Sequence, residues 1–370
     1  MAASIWEHFN IIRDTREGPA TKHRLHDILV LSICSVICGA EHWTHMEEFG
    51  KSNEEWFRSF LELPHGIPSH DTFGRVFASL DPDAFESAFR DWVRAVAGES
   101  SGKHIAIDGK TVRRSFDRAS EAKAIHMVSA WVRENSACFG QIKVNEKSNE
   151  ITAIPELLKH LCLKGATVTI DAMGCQRKIA AQIVDQGGDY VFGLKGNQGT
   201  LLDDVKRFMD DALAREAEGI DRHETVEKGH GRVEKRTTHV CTDVAWLHRR
   251  HEWEGLGSMV VVDSERTIQG QKQEERRYFI SSHRGARAQQ LGEVIRSHWQ
   301  VENGLHWMLD VNFGEDSCRV RVANAAENFS RVRRIALMLL KQEKSVKVGI
   351  KGKRLKAGWD RGYLLKILGL

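Results

Sequence analysis

The stretch that decides the fold is HIAIDGK, residues 104–110, a short apolar run that ends in Asp108 and a turn. A second run of the same kind, TVTIDAMG at 167–174, ends in Asp171. An ionised carboxyl group is costly to bury unless it is paired, so an acid at the end of a buried strand is a candidate for metal binding or hydrogen bonding. One Asp-Gly turn is commonplace, whereas two such strand ends predict a shared site.

The segments around these runs predict a mixed α/β protein. Apolar runs at 104–110, 124–132 and 137–144 are joined by short turns, which indicates a three-stranded antiparallel meander. From residue 154 to 214 helical and strand patterns alternate, as they do in a sheet with parallel members. This order is that of a ribonuclease H-like core, in which the two strands that end in the acids are neighbours.

Two further regions flank or interrupt the sheet. Residues 1–97 have helical spacing and predict an N-terminal helical domain. Its segment 67–77 could be the second helix of a helix-turn-helix, although a plain helical bundle is favoured. From 221 to 282 the apolar period returns to two, which predicts an all-β insertion. The predicted boundaries are 1–97 for the helical domain, 103–220 for the first part of the core, 221–283 for the insertion, 284–345 for the last part of the core and 346–370 for a basic C-terminal tail.

The composition is that of an ordinary folded protein and excludes several classes. The chain has 370 residues, 41% of them hydrophobic and 28% charged, unlike disordered or collagen-like sequences. Its most apolar stretch, 28–40, is too short to span a bilayer and lacks the features of a signal peptide. We therefore expect a cytoplasmic protein without membrane contact. Seven scattered cysteines without a CxxC pair indicate reduced thiols.

The charge of the chain is concentrated near its C-terminal end. Between Arg319 and Lys356 there are twelve Lys or Arg residues against Glu327 and Glu343, a local excess of about +10 in a chain of net charge +3. Such a block attracts a phosphate backbone, because each neutralised phosphate releases counterions. A solvated basic face explains it equally well.

A third acid is expected for a two-metal site, and Glu302 is the candidate. His298, Glu302 and His306 are four residues apart and share one face if the segment is a continuous helix. Two histidines eight residues apart on a helix are about 12 Å apart, too far to bind one zinc ion. Oxygen-ligated Mg²⁺ or Mn²⁺ is therefore preferred. Trp299 and Trp307 are expected in the core.

Five motifs carry a resemblance to a known family. They are IAIDGK (105–110), TIDAMGCQ (169–176), GDYV (188–191), LKGNQ (194–198) and HWQVENGLHWMLDV (298–311). In this order they resemble the ISAs-type insertion-sequence transposases, a group that includes the H-repeat-associated proteins and belongs to the DDE transposases. The resemblance covers nearly the whole chain, including the N-terminal helical region.

The resemblance implies a catalytic triad of Asp108, Asp171 and Glu302 that binds two Mg²⁺ or Mn²⁺ ions. The implied function is DNA transposition in bacteria: metal-dependent strand cleavage and strand transfer at the terminal repeats, into target DNA, by a homodimer near the nucleoid. Two other functions stay open. One is an inactive, transposase-derived DNA-binding protein, and the other is a ribonuclease H-like nuclease that cleaves without joining.

Several residues near the acids are candidates for DNA contact. They are Lys110, Arg113, Lys195, Asn197, Arg232, His298 and Arg319. The related insertion-sequence signature of Tyr, Arg, Glu and Lys is incomplete here, because His298 stands in place of the Arg and Leu309 in place of the Lys. Lys195, Arg296, His298 and Arg319 are the candidate substitutes by their place in the sequence. Asp310, Glu315 and Asp316 are rival acids.

Overall fold

The computed structural model describes residues 5–16, 18, 21–116, 123–144, 149–229, 232–268 and 271–369. The helices are α1 (Ile5–Phe9), α2 (Leu25–Ile37), α3 (Trp43–Ser52), α4 (Glu54–Phe57), α5 (His70–Ser79), α6 (Pro82–Ala97), α7 (Glu150–Leu158), α8 (Arg177–Asp185), α9 (Gly199–Ala214), α10 (Ala288–His298), α11 (Trp307–Phe313), α12 (Ala325–Gln342), α13 (Ile350–Trp359) and α14 (Arg361–Leu368). The strands are β1 (His104–Thr111), β2 (His126–Val132), β3 (Ala137–Lys143), β4 (Thr167–Ile170), β5 (Asp189–Leu194), β6 (Ile220–Gly229), β7 (Arg232–Cys241), β8 (Ser258–Ile268) and β9 (Gln271–Ser281).

The described strands form one mixed sheet in the order β3-β2-β1-β4-β5-β9-β8-β7-β6. Strands β1, β2 and β3 are an antiparallel meander, and β1, β4 and β5 run parallel to one another. The predicted mixed α/β class, the meander and the adjacency of the strands that carry Asp108 and Asp171 are therefore confirmed. The parallel strands are buried because helices pack on them, as in other α/β sheets.

The β-strand insertion extends this sheet. Strand β9 pairs antiparallel with β5, and β8, β7 and β6 follow as a meander. The sequence patterns located β8 and β9 only at 259–262 and 278–280, whereas each strand has 11 residues. Six consecutive residues at the start of β9 are exposed and polar, so a search for apolar residues finds only its buried end.

The N-terminal helices pack on the rest of the protein. Local signals start α5 and α6: Ser69 accepts a hydrogen bond from the Thr72 N–H, and Asp81 accepts one from the Asp83 N–H. One continuous hydrophobic core includes residues of these helices, the sheet and α12. The Trp43 ring, for example, lies 4.7 Å from the Phe329 ring of α12, measured between centroids. The helical region is therefore joined to the sheet through α12.

The prediction of a basic tail over 346–370 is wrong. Most of this segment forms α13 and α14, and Ala357, Leu364 and Leu368 of these helices are buried in the core. The prediction was based on the many lysines and arginines of this segment and overlooked the apolar residues between them. No helix among the described residues has the length and apolar character needed to cross a membrane.

The basic block does not form a solvated face either. Arg331, Arg333 and Arg334 of α12 are buried. Arg331 donates hydrogen bonds to Glu86 of α6 and to Glu327, both at 2.8 Å. Burial of the Arg331 guanidinium would be very costly without these two carboxylates. Part of the local positive charge therefore connects helices, while Arg319, Lys344 and Lys347 stay exposed.

Candidate active site

Asp108 and Asp171 follow the last paired residues of two neighbouring parallel strands, because Ile107 of β1 pairs with Ile170 of β4. Asp171 leaves the sheet and caps a short 3₁₀ turn, with its Oδ1 accepting hydrogen bonds from the N–H groups of Met173 (3.0 Å) and Gly174 (3.4 Å). Asp108 stays within β1, which continues to Thr111 because residues 108–111 still pair with β2. The turn expected directly after this acid is therefore wrong, and only the pairing with β4 ends before it. The fold therefore brings the two acids to the same place on the sheet.

Asp108 lies in an environment that disfavours its charge. Burial raises the pKa of its carboxyl group to about 7, and the charges of Asp171, Glu150 and Glu302 act in the same direction. One hydrogen bond, from the Gly109 N–H to Asp108 Oδ1 at 2.9 Å, opposes them. Such a concentration of negative charge where two parallel strands separate is typical of a site that binds a cation.

The segment that carries Glu302 is not the continuous helix that the sequence predicted. Helix α10 ends at His298, and residues Glu302–His306 form a π-helix, here called the π-turn, before α11 begins. A π-turn adds a residue to the helical repeat and often occurs at functional sites. The side-chain spacing expected for one straight helix therefore does not apply.

Two histidines fix this segment to the strands that carry the acids. His298 Nδ1 is 2.9 Å from the Thr169 hydroxyl oxygen on β4, and His306 Nδ1 is 3.5 Å from Asp108 Oδ2 on β1. Glu302 lies between them along the chain and is exposed. Each histidine contacts a different strand, so they connect the helix to the sheet.

Both histidines are neutral at physiological pH. Burial lowers the pKa of His298 to about 4, with the Asp171 charge opposing this effect. Burial also lowers the pKa of His306 to about 3, and Arg334 and Lys110 act in the same direction. A neutral imidazole hydrogen-bonds but offers no positive charge to a phosphate. The structure therefore favours a positioning role for His298 over the phosphate contact expected from the sequence.

The carboxylate oxygens at this site suit a hard cation, but the three side chains do not converge on one point. Asp108, Asp171 and Glu302 offer carboxylate oxygens, which Mg²⁺ prefers. Within the part of the chain that the structure describes, no three His, Cys, Asp or Glu side chains converge closely enough to hold an ion. The three acids nevertheless interact electrostatically, since both Asp171 and Glu302 influence the Asp108 carboxyl group.

The rival acids have another role. Lys110 Nζ lies 2.5 Å from Asp310 Oδ1, 3.0 Å from Asp316 Oδ1 and 3.3 Å from Glu315 Oε2. Glu315 is fully buried, and the Arg334 and Lys110 charges outweigh its burial and lower its pKa to about 2. These contacts connect the end of β1 to the segment after α11. They leave Lys110 buried among carboxylates and poorly placed to contact DNA.

The residues after β5 border the turn that Asp171 caps. Asn197 Nδ2 donates a hydrogen bond of 2.6 Å to the Ala172 carbonyl oxygen, next to Asp171. Lys195 is exposed two residues earlier. Arg113 is largely exposed and lies 3.3 Å from Asp316, and Arg319 is exposed in the loop before α12. Asn197 therefore fixes the loop of Asp171, while the three cations are accessible.

A groove of about 1540 Å³ runs between the insertion strands and α10. Glu302 lines it, together with Arg232 of the insertion. Arg296, a candidate substitute for the missing signature Arg, also lines it but is ion-paired with Glu227. The groove therefore contains a site acid and cations from the insertion.

Trp299 and Trp307 are not core residues. Their exposed fractions are 46% and 52%, so the expectation from sequence is wrong for both. The guanidinium carbon of Arg277 lies 4.8 Å from the Trp299 ring centroid, and both residues line the groove. Trp299 follows the end of α10 and Trp307 begins α11 after the π-turn, so the two residues do not lie on one continuous helix.

Sequence analysis missed a carboxylate beside Asp108. Glu150 begins α7, and its Oε1 lies 2.6 Å from His126 Nε2, while His126 Nδ1 lies 2.8 Å from the Thr111 hydroxyl oxygen. A side chain at Gly109 would overlap both Glu150 and His126. The glycine after Asp108 was the available signal, because a close approach at that position requires a residue without a Cβ atom.

Comparison with known proteins gives two family matches. Residues 6–93 match the model described as DDE_Tnp_1-associated, and residues 99–339 match the transposase DDE domain. The chain is 43% identical to "H repeat-associated putative transposase YhhI" of Escherichia coli K12, over 98% of this chain and 97% of that protein.

Two other relatives differ in coverage. The "Uncharacterized protein in dhlA 3'region" of Xanthobacter autotrophicus is 48% identical over 74% of this chain and 93% of its own length. "Inactive transposase YbfQ" of E. coli K12 is 42% identical over 20% of this chain and 86% of its own length. A solved synaptic complex of piggyBac transposase with hairpin DNA gives a TM-score of 0.41 at 12% identity, covering 98% of this chain and 75% of that one.

Proposed function

Because the chain belongs to the family of transposases with a DDE domain, we propose that it is the active transposase of a bacterial insertion sequence. It cleaves DNA strands at the ends of the element and joins them to target DNA. The observation that carries this proposal is that Asp108 and Asp171 directly follow the last residue pair of the neighbouring strands β1 and β4, with Glu302 between two histidines that contact the same two strands.

We further propose that the catalytic core is ribonuclease H-like. The strand order β3-β2-β1-β4-β5, with an antiparallel meander followed by parallel strands, supports this assignment. The insertion then occupies the edge beyond β5, and the chain returns through α10 to the acids. This route explains how a residue 131 positions after Asp171 can complete a site with it.

The metal ligands proposed here are Asp108, Asp171 and Glu302. Mg²⁺ or Mn²⁺ bound there supplies activation of the attacking oxygen and stabilisation of the leaving oxygen at a DNA phosphate. The chain itself contributes position. His298 and His306 fix the segment of Glu302 against β4 and β1. The raised pKa of Asp108 means that cation binding must displace a proton from this carboxyl group near neutral pH.

The accessible cations are the proposed DNA contacts. Arg113, Lys195 and Arg319 are exposed near the site, and Arg232 lines the groove that contains Glu302. Phosphate contacts of this kind fix the register of the duplex and make binding dependent on salt. We assign no DNA contact to Lys110, Asn197 and His298, because each already has a partner inside the protein. Their proposed role is to hold neighbouring segments of the site in position.

Strand transfer requires two element ends to be held together, so we propose a homodimer on double-stranded DNA in the bacterial cytoplasm. The dimer would bind the terminal repeats first and the target afterwards. Strand cleavage and strand joining need no cofactor beyond the metal ions. In both reactions one oxygen replaces another at a phosphate.

The test is a cleavage and joining assay on a labelled duplex that carries the terminal sequence of the element, with Mg²⁺ or Mn²⁺. Asp171→Asn and Glu302→Gln should abolish cleavage and leave DNA affinity within about twofold of the wild type. Asp203→Asn, an exposed acid on α9, is the matched control and should cleave normally. Binding without cleavage under either metal would favour the inactive DNA-binding alternative, and cleavage without joining would favour a nuclease.

A further inference from the structure

The backbone of the π-turn receives a side-chain contact from outside its own segment. Lys341 Nζ of α12 donates a hydrogen bond of 2.6 Å to the carbonyl oxygen of Gly304. The same ammonium lies 4.4 Å from the centroid of the Trp131 ring on β2. Lys341 therefore connects the middle of the π-turn to α12 and to the sheet.

The π-turn contains a longer repeat than its flanking helices, and the Trp307 N–H bonds back to the Glu302 carbonyl oxygen. The half-buried Gly304 lies in the middle of this turn, and Lys341 gives its carbonyl group a hydrogen bond from a charged donor. Hydrogen bonds to charged groups contribute more than those between neutral groups, so this contact stabilises the conformation of the turn.

Gly304 permits this contact through its lack of a side chain. A Cβ atom there would lie 3.3 Å from Trp131 Cζ2 and 3.5 Å from Lys341 Nζ, which is tighter than ordinary packing on the Trp131 side. The glycine at 304 thus makes room for the ring and the ammonium beside its carbonyl group. The site is assembled from three separate elements, β2, the π-turn and α12.

Glu302 depends on its backbone for orientation. Among the described residues its carboxyl group has neither a hydrogen bond nor an ion pair, and the side chain is exposed in the groove. His298 and His306 fix the segment on either side of it. Lys341 of α12 contacts the turn between Glu302 and His306 through the Gly304 carbonyl oxygen.

We propose that Lys341 is a positioning residue for Glu302, which through the Gly304 carbonyl holds the π-turn in the conformation that directs this carboxyl group toward Asp108 and Asp171. The inference rests on the proposed function of the triad. It assigns no contact between Lys341 and the DNA or the reacting atoms. Through Lys341, α12 would also influence the orientation of Glu302.

The test compares Lys341→Met, which keeps much of the volume and removes the donor, with Lys341→Arg, which keeps the charge and the donors. Lys344→Met is the matched control, because Lys344 is an exposed neighbour outside the contact. Hydrogen exchange of peptides covering 299–309 is measured first. In Lys341→Met we expect exchange there to become about tenfold faster, since a hydrogen bond to a charged donor is lost. Lys344→Met should be unchanged, and Lys341→Arg should restore most of the protection.

Strand cleavage and Mn²⁺ binding complete the test. Lys341→Met should lower kcat about tenfold, leave the DNA dissociation constant unchanged within about twofold and weaken Mn²⁺ binding as Glu302→Gln does. Unchanged exchange at 299–309, or faster exchange with unchanged kcat and Mn²⁺ affinity, overturns the inference. If the wild type does not cleave DNA, the proposed function fails; exchange and Mn²⁺ affinity then still decide the role of Lys341.

Discussion

Replacing Asp108 by Asn should make the metal-free protein more stable at pH 8 and should leave its stability nearly unchanged at pH 4. The substitution is almost isosteric, and the Asn side-chain oxygen can still accept the Gly109 N–H bond. What it removes is a carboxyl group that is ionised at pH 8 in an environment that disfavours the charge.

The magnitude follows from the pKa of Asp108. The folded protein raises this pKa from 3.8 to about 7. As the pH rises from about 4 to about 7, the unfolded chain loses this proton while the folded chain keeps it, so the free energy of unfolding falls. A shift of about three units corresponds to about 4 kcal/mol, all of it lost above the folded pKa. Asp108→Asn should recover most of this at pH 8.

The assay is urea denaturation of the wild type and of Asp108→Asn at pH 4 and pH 8 in the presence of EDTA. Asp203→Asn is the control for loss of one surface charge and should change stability by less than about 1 kcal/mol at either pH. Mn²⁺ at pH 8 should stabilise the wild type and not Asp108→Asn, because the ion binds only the ionised site. A variant whose unfolding curve follows that of the wild type at both pH values would refute the reasoning.

Three further substitutions test how the elements around the site are held. Glu86→Gln should destabilise the protein by about 3 kcal/mol in urea denaturation, because it removes one of the two carboxylates that pair with the buried Arg331; a loss below 1 kcal/mol would contradict this. Gly109→Ala should lower the melting temperature and displace Glu150, since the new Cβ would overlap that carboxylate; a crystal structure with the Glu150 contacts intact would rule this out. Thr169→Val should cost about 2 kcal/mol, because its hydroxyl group is the partner of two buried histidines, and equal stability by calorimetry would argue against that network.

The sequence predicted the main lines of the sheet because their signals are local. An apolar run followed by an acid identified β1 and β4 from a few residues, although β1 continues past Asp108 to Thr111. The order of such runs predicted that β1 and β4 are neighbours. The third acid was predicted in a helical pattern, and in the structure the charge of Glu302 contributes to the raised pKa of Asp108. The helix itself was predicted as continuous, because a π-turn has no strong sequence signal.

Charged residues were the least predictable part of the site. The basic residues of 319–356 predicted a DNA-binding face or a solvated face. Instead, Arg331 is buried against Glu86, 245 residues away in the chain, and Arg334 is buried against Glu315, 19 residues away. Lys110 was expected to contact DNA and instead binds three carboxylates. Whether a cation is free depends on its partners, and those are supplied by distant segments.

The sequence by itself determined most of the secondary-structure order before residue 346, the two acids that follow apolar runs and the family motifs, since each depends on residues close together in the chain. The tertiary structure alone decided which cations are buried, how α13 and α14 pack, and which groups hold the π-turn. Those features depend on contacts such as that of Lys341 with Gly304, 37 residues apart. Such contacts arise only when the helices pack on the sheet, because their energies depend on burial and on the partner that packing brings into reach.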